Sequence, residues 1–346
     1  MGVVVDGCPA GLNIEDEFIQ KDLDRRRPGQ SLVTTSRAER DRVEIISGVF
    51  KGVTTGAPIC MLVWNKSFDS SKYERIKSTP RPGHADYTAF VKYGGFNDYR
   101  GGGRFSGRVT ASYVMAGALA KKLLETLNIE ILANTVQIGR VTSKKKTLDE
   151  IRTNTEQNLV RCADLEAAEK MIEVIKEVKT QGDSIGGVVE CIVLNVHSGL
   201  GEPLFDTLEG DLAKALYSIP AVKAVEFGAG FSLISLRGSQ SNDAFIIKNG
   251  KIVTETNRSG GILGGISNGM PIVCRVAVKP TPSIEKLQRT VDLSTMTNTS
   301  LEVKGRHDPC IVPRVVPVVE SVVAIVLVDH AIRAGLLPSV MEVHTE

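Results

Sequence analysis

The sequence predicts an α+β fold of antiparallel sheets and separate helices, and three observations point to it. Apolar, β-branched runs come in pairs divided by tight glycine turns. Longer stretches with helical spacing stand apart from those pairs, and a regular strand-helix-strand alternation is missing. Helices covering or lying between such sheets would bury the apolar faces economically. The chain of 346 residues is 42% hydrophobic with a net charge of +2, the composition of a globular protein.

The elements follow in order. "GVVVDG" reads as a strand that begins abruptly at the first residue, which suggests further chain upstream. "NIEDEFIQKDLDRRRPG" reads as a helix capped by Asn13, apolar at Ile14, Phe18 and Leu23, and stopped by Pro28. Residues 42–65 suggest two antiparallel strands joined by a turn, and residues 109–127, rich in Ala and Leu, suggest a mostly buried helix. The polar stretch 140–163 reads as a surface excursion. A helix over 164–180 is expected next, with Asp164 as its cap and Leu165, Ala168, Ile172, Ile175 and Val178 on one face. A strand from "GDSIGGVVECIVLNV", a helix over 210–219, a strand from "AVKAVEFGAGF", a glycine-rich run and an apolar helix at about 316–336 complete the chain.

Several classes of function are disfavoured. A net charge of +2 is too small for a global nucleic-acid or membrane surface, so functional charge must be local. The six cysteines form no CxxC pair, so a reducing cytoplasm fits better than a disulfide framework. "VVAIVLV" is too short for a membrane span, the N-terminus has no charged region of a signal peptide, and no repeat of solenoid length is visible.

Local charge concentrates in residues 81–111, where seven glycines, four arginines, a lysine and a histidine surround two aspartates. Bare backbone amides approach a ligand closely, and Arg100, Arg104 and Arg108, four apart, can project into one cavity, an arrangement suited to phosphate or carboxylate. The other readings are a solvated loop or an RGG-like RNA segment, against which stand the flanking structured stretches and aromatic residues such as Tyr93 and Phe105. "GRHDPC" sets Arg306, His307, Asp308 and Cys310 together. An arginine beside an aspartate suits a proton acceptor or an ordinary surface ion pair, and the spacing is too tight for a metal chelate. "GGILGG" lacks the spacing and acidic partner of a dinucleotide loop. "KPTPSI" reads as a loop, and His84 is equally a structural or a catalytic histidine.

Taken in order, "DLDRRRPG", "RPGHADYTAFVKYG", "DYRGGGRFSGRVTA", "GDSIGG", "GLGEP", "VKAVEFGAGF", "RGSQSND", "GGILGGISNGMPI", "KPTPSI" and "GRHDPC" resemble chorismate synthase over essentially the whole chain. The resemblance implies a single domain over 1–346, with helices sandwiched between antiparallel β-sheets, and a cytoplasmic homotetramer. It implies a 1,4-elimination of phosphate from 5-enolpyruvylshikimate 3-phosphate to give chorismate. Reduced FMN is then required without net redox change, with NADPH as reductant in members that reduce their own flavin. It implies no metal, nucleic-acid or membrane partner.

By residue, the resemblance assigns His84 as the proton donor to reduced flavin and Asp308 as the base, kept ionised by Arg306. It assigns Arg26, Arg37 and Arg108 to the anionic substrate. It places FMN against Arg104, Phe105, Ser106, Pro220, Ala221, Gly264, Lys279, Pro280, Thr281, Pro282, Ser283 and Arg306. Three departures qualify it. A second family histidine, in a Gly-Glu-Ser-His-Gly motif, would fall upstream of Met1. Leu32 replaces an arginine, leaving Arg37 and Arg40 as substitutes. "FSGRVTA" stands where "SSARETA" is commoner.

Overall fold

The computed structural model describes residues 1–30, 39–65, 73–303, 305 and 307–341. Its frame is two antiparallel sheets with a helical layer between them, the α+β arrangement expected. The smaller sheet joins Gly2–Val5, Ile59–Val63 and Val43–Ser47 in that spatial order. The larger orders Val141–Thr142, Glu130–Ile138, Gly187–Leu194, Ile272–Val278 and Val222–Phe227. The alternation of Ile272–Val278 explains why this sheet has an inner face. Ile272, Cys274, Val276 and Val278 are buried, while Arg275 turns outward to pair with Glu226 and Glu190.

The helices are α1 (Asp16–Arg26), α2 (Asp86–Lys92), α3 (Thr110–Glu125), α4 (Leu148–Asn154), α5 (Leu165–Thr180), α6 (Leu208–Tyr217), the single turn α7 (Gly238–Ser241) and α8 (Val312–Arg333). Helix α3 touches both sheets, α1 lies against the smaller and α8 against the larger. Helices α3 and α8 meet at Gly117, where a β-carbon would overlap the backbone of Ser321, so only glycine permits this approach. Helix α8 is long and apolar enough to cross a membrane, yet most of it is buried inside the fold as its central core helix.

Pro317 lies inside α8 and cannot donate to the carbonyl of Pro313, four residues earlier. That carbonyl instead accepts from Arg161 Nη1 at 2.7 Å. The same region holds a buried ion cluster. Arg25 donates to both oxygens of Glu320 at 2.6 and 2.8 Å, and Lys121 reaches Glu320 at 2.9 Å and Asp22 at 2.7 Å. These contacts tie α1, α3 and α8 together.

Three local expectations are corrected. Helix α1 starts at Asp16 behind Glu15, not Asn13, which pairs with Val53 in an isolated bridge. The stretch 140–163 is not merely a surface excursion: Thr147 and Glu150 form a capping box that starts α4, and Val160, Cys162 and Ala163 are buried. The buried face of α5 is Ala167, Ala168, Met171 and Ile175. Leu165 is exposed, while Asp164 stands at the N-cap of α5 as expected, its carboxylate accepting from the Lys144 amide.

Burial alone would raise the Glu320 carboxyl, but Arg25 and Lys121 hold it down at about 2. Because the folded carboxyl titrates below its ordinary value of 4.5, the cluster stabilises fully above that pH and its contribution fades as pH falls towards about 2. Glu320→Gln is expected to cost about 3 kcal/mol at neutral pH, because it removes the buried carboxylate shared by Arg25 and Lys121 and leaves them, among the described residues, only Asp22 and Glu156. In denaturant titrations the gap from wild type should narrow as pH is lowered through that window.

Candidate active site

The C-terminal end of α1 and the N-terminal ends of α3 and α8 converge, and each brings an arginine or follows one closely. Arg26, at the last residue of α1, is 3% exposed. Its Nε donates to Thr110 Oγ1 at 3.0 Å, its Nη2 to the Gly107 carbonyl at 2.8 Å, and its Nη1 pairs with Asp41 at 3.3 Å. Arg108 pairs with Glu39 and with Asp41 at 2.7 Å. Its buried Nε has no hydrogen-bond partner among the described residues, which leaves one guanidinium donor to spare. Arg314, in the first turn of α8, donates from Nε to the Arg26 carbonyl at 3.1 Å and pairs through Nη1 with Asp308.

Burial, then the adjacent Arg314 guanidinium, pulls the Arg26 pKa down to about 9, with Asp41 opposing and Arg108 adding to the repulsion. Arg26 therefore stays cationic at neutral pH in a place already crowded with positive charge. An added anion would relieve that crowding.

The segment 279–283 is the crosspiece of the site. Thr281 Oγ1 donates to the Asp308 carbonyl at 3.0 Å, and the Thr281 carbonyl accepts from Ser184 at 2.7 Å. Lys279 Nζ donates to the Gly83 carbonyl, and the Lys279 amide donates to the Ala221 carbonyl at 2.9 Å. Ser283 accepts from Arg81 Nη1 at 3.1 Å. Arg81 also donates to both oxygens of Asp86 at 2.8 Å each, and Asp86 lies 2.7 Å from His84 Nδ1. Contacts through this segment thus connect Ala221 and, by way of Arg81 and Gly83, the His84 loop with Asp308. A stretch that reads as an ordinary loop is the hub.

Arg104, Phe105 and Ser106 end a short 3₁₀ segment, Arg100–Phe105, that leads into α3. Arg104 has no ion-pair partner among the described residues. The half-exposed Phe105 ring tilts against Tyr93 at a centroid distance of 6.4 Å, and Ser106 Oγ accepts from the Arg108 amide at 3.2 Å.

Some expectations change. Arg100, Arg104 and Arg108 do not share a cavity, because the 3₁₀ winding and the extended Ser106 separate them. Arg100 turns to Asp98 at the surface, and Arg108 turns inward to Asp41. Gly264 is not joined to the other candidates. With Gly265 it forms the two-residue turn of the hairpin Ile262–Leu263 and Ile266–Ser267, both at positive φ, 61° and 86°. Arg37 and Arg306 lie outside the described residues. Among the described residues, the guanidinium facing Asp308 is that of Arg314, six residues on. Arg40 is exposed and, with Asp16, Gln20 and Asp24 of α1, lines a cavity of about 390 Å³. The sequence marked Arg81 only as a neighbour of His84 and gave no role to Asp86, Arg314, Glu39 or Asp41. Only the His-Ala-Asp spacing at residues 84–86 offered a local signal.

The comparisons agree with this architecture. The family model described as chorismate synthase matches residues 1–332. The chorismate synthase of Dehalococcoides mccartyi is 59% identical over 342 residues, covering 99% of this chain and 94% of that protein. That of Methanosarcina barkeri is 58% identical over 337 residues, covering 97% and 92%. A crystal structure of a chorismate synthase superposes with a TM-score of 0.75 at 31% identity, covering 96% of this chain and 88% of the other. The fold is thus that of an α+β enzyme. The chain belongs to the chorismate synthase family.

A double-mutant cycle tests the Arg314–Asp308 pair. Arg314→Leu should cost about 1.5–3 kcal/mol in thermal or denaturant unfolding, because it removes a charged hydrogen-bond partner of a mostly buried carboxylate. Adding Asp308→Asn to it should recover part of that loss.

Proposed function

We propose that this chain converts 5-enolpyruvylshikimate 3-phosphate to chorismate by 1,4-elimination of phosphate, with reduced FMN bound and no net redox change. The observation that carries the reading is the convergence of Arg26, Arg108 and Arg314 at three helix ends beside Asp308. A substrate bearing phosphate and carboxylates needs several fixed guanidinium donors, and helix N-termini such as those of α3 and α8 favour anions further. Arg26 and the spare Nε of Arg108 would take the substrate.

The residues present suit a flavin mononucleotide. A half-exposed aromatic ring, Phe105, follows Arg104, which has no ion-pair partner among the described residues, and the backbone at 279–283 is presented alongside Lys279. Arg104, Phe105, Ser106, Pro220, Ala221 and the run Lys279 to Ser283 would hold it, with Gly264 and Arg306 assigned by family likeness alone. When bound, reduced FMN supplies electron density that helps expel phosphate. The chain's own residues then position charge and move protons. Asp308 would take up the ring proton beside the Arg314 guanidinium, and His84, tied to the 279–283 crosspiece through Arg81 and Ser283, would pass a proton to the bound flavin.

By the same likeness the chain is read as one domain over 1–346, acting as a cytoplasmic homotetramer. NADPH serves as reductant if it reduces its own flavin.

The test is an anaerobic assay of the full chain with reduced FMN and the enolpyruvyl substrate. Chorismate should form, and its absence would overturn the reading. Asp308→Asn should abolish turnover while flavin still binds. His84→Ala should slow it by about 10²–10⁴-fold with the fold intact.

A further inference from the structure

The imidazole of His84 sits in a built environment that fixes how it can carry a proton. The Asp86 carboxylate, at the first residue of α2, already accepts three hydrogen bonds from Arg81. The Arg81 amide reaches Oδ2 at 3.0 Å, Nε reaches Oδ2 at 2.8 Å, and Nη2 reaches Oδ1 at 2.8 Å. His84 Nδ1 approaches Oδ1 at 2.7 Å. Burial alone would raise the Asp86 carboxyl, yet hydrogen bonds from Arg81 and His84 hold it well below the usual carboxylate range. A carboxylate so held only accepts, so the hydrogen between Asp86 and His84 belongs to Nδ1.

Arg81 Nη2 lies 3.1 Å from Nδ1 and 3.2 Å from Nε2. A heavy atom equally close to both ring nitrogens lies over the face of the ring, not along either lone pair. Nε2 is therefore the nitrogen left to exchange a proton. It points towards Gly102, where a β-carbon would lie 3.6 Å from it, in the 3₁₀ segment that carries Arg104 and Phe105. The charged groups around the ring are Asp86 on α2, Arg81 on its own loop and, through the Gly83 carbonyl, Lys279 on the crosspiece. Arg81 is itself anchored to Ser283 at 3.1 Å, so the ring's orientation is set by the segment that also touches Asp308.

We propose that Asp86 is a positioning residue, held by Arg81, that fixes neutral His84 as the Nδ1–H tautomer and so leaves Nε2 to carry the reactive proton. The inference rests on the catalytic reading of His84, but its structural half can be tested apart from activity.

Asp86→Asn keeps the shape and changes the hydrogen-bond logic. The amide oxygen satisfies most donors by taking the Oδ2 position, facing the Arg81 amide and Nε. The amide NH₂ then faces Nδ1 as a donor, and the neutral ring must carry its hydrogen on Nε2.

The experiment is nitrogen-15 NMR of the imidazoles in the histidine-labelled full chain, with the His84 signals identified by their loss in His84→Ala. The same preparations are assayed anaerobically with reduced FMN. Wild type should show the Nδ1–H form at His84 above its titration. Asp86→Asn should show Nε2–H, lose about 10²-fold or more in kcat, and keep KM and flavin affinity within about twofold. Asp86→Glu, which retains the acceptor, should recover part of the rate. A wild-type Nε2–H signal overturns the proposal whether or not any variant folds, and so does an unchanged tautomer in Asp86→Asn. If the tautomer flips while both Asp86→Asn and His84→Ala keep full turnover, the tautomer assignment stands and the catalytic reading of His84 falls.

Discussion

The close approach of α3 and α8 at Gly117 and Ser321 is the constraint on which the rest of the molecule depends. With no side chain at Gly117, the two helices share a seam that runs through the apolar layer between the sheets. Helix α1 is locked across them by the Glu320 ion cluster. Once the seam and the cluster are fixed, the end of α1 and the starts of α3 and α8 meet at one place, and Arg26, Arg108 and Arg314 arrive there together. The positive charge of the site is a consequence of helix packing as much as of composition.

Balanced pairing keeps that charge usable. Arg26 and Arg108 share Asp41, Arg108 also holds Glu39, and Arg314 holds Asp308. A guanidinium buried with no partner would be prohibitively costly, whereas one paired on one edge keeps donors for a ligand on another. The Arg26 pKa is lowered first by burial and then by the Arg314 and Arg108 guanidinium groups, a repulsion that an anionic ligand would relieve. Arg81 and Asp86 frame His84 in the same manner, with the charged pair immobilising the imidazole.

Most elements were legible from periodicity, because the core helices and paired strands have strong apolar patterns. "VTASYVMAGALAKKLLETL" became α3 almost as read, and the pairing within residues 42–65 was visible from its alternation. The start of α1 was misread because Asn13 looks like a cap while the chain there is still bridging to Val53. Helix α4 was missed because its capping box lies in a polar stretch with little apolar periodicity. At the site, motif likeness pointed to individual residues but not to their partners. The pairing of Asp308 with Arg314 depends on the chain's turn into α8, and that of Arg26 with Asp41 on how α1 meets the chain leading to Val43. Neither contact leaves a local pattern. The GGILGG run, whose spacing already spoke against a dinucleotide loop, serves a two-residue hairpin turn.

The central claim is that the meeting of three helix ends builds a seat for a multiply anionic substrate, with Arg26 at its base. Isothermal titration of the full chain with 5-enolpyruvylshikimate 3-phosphate, for wild type and Arg26→Ala, measures it most directly. A charge-assisted hydrogen bond contributes about 1.5–3 kcal/mol, so the account predicts an affinity loss of about 10- to 100-fold with the thermal transition still cooperative. Equal affinities in the two folded proteins would contradict it.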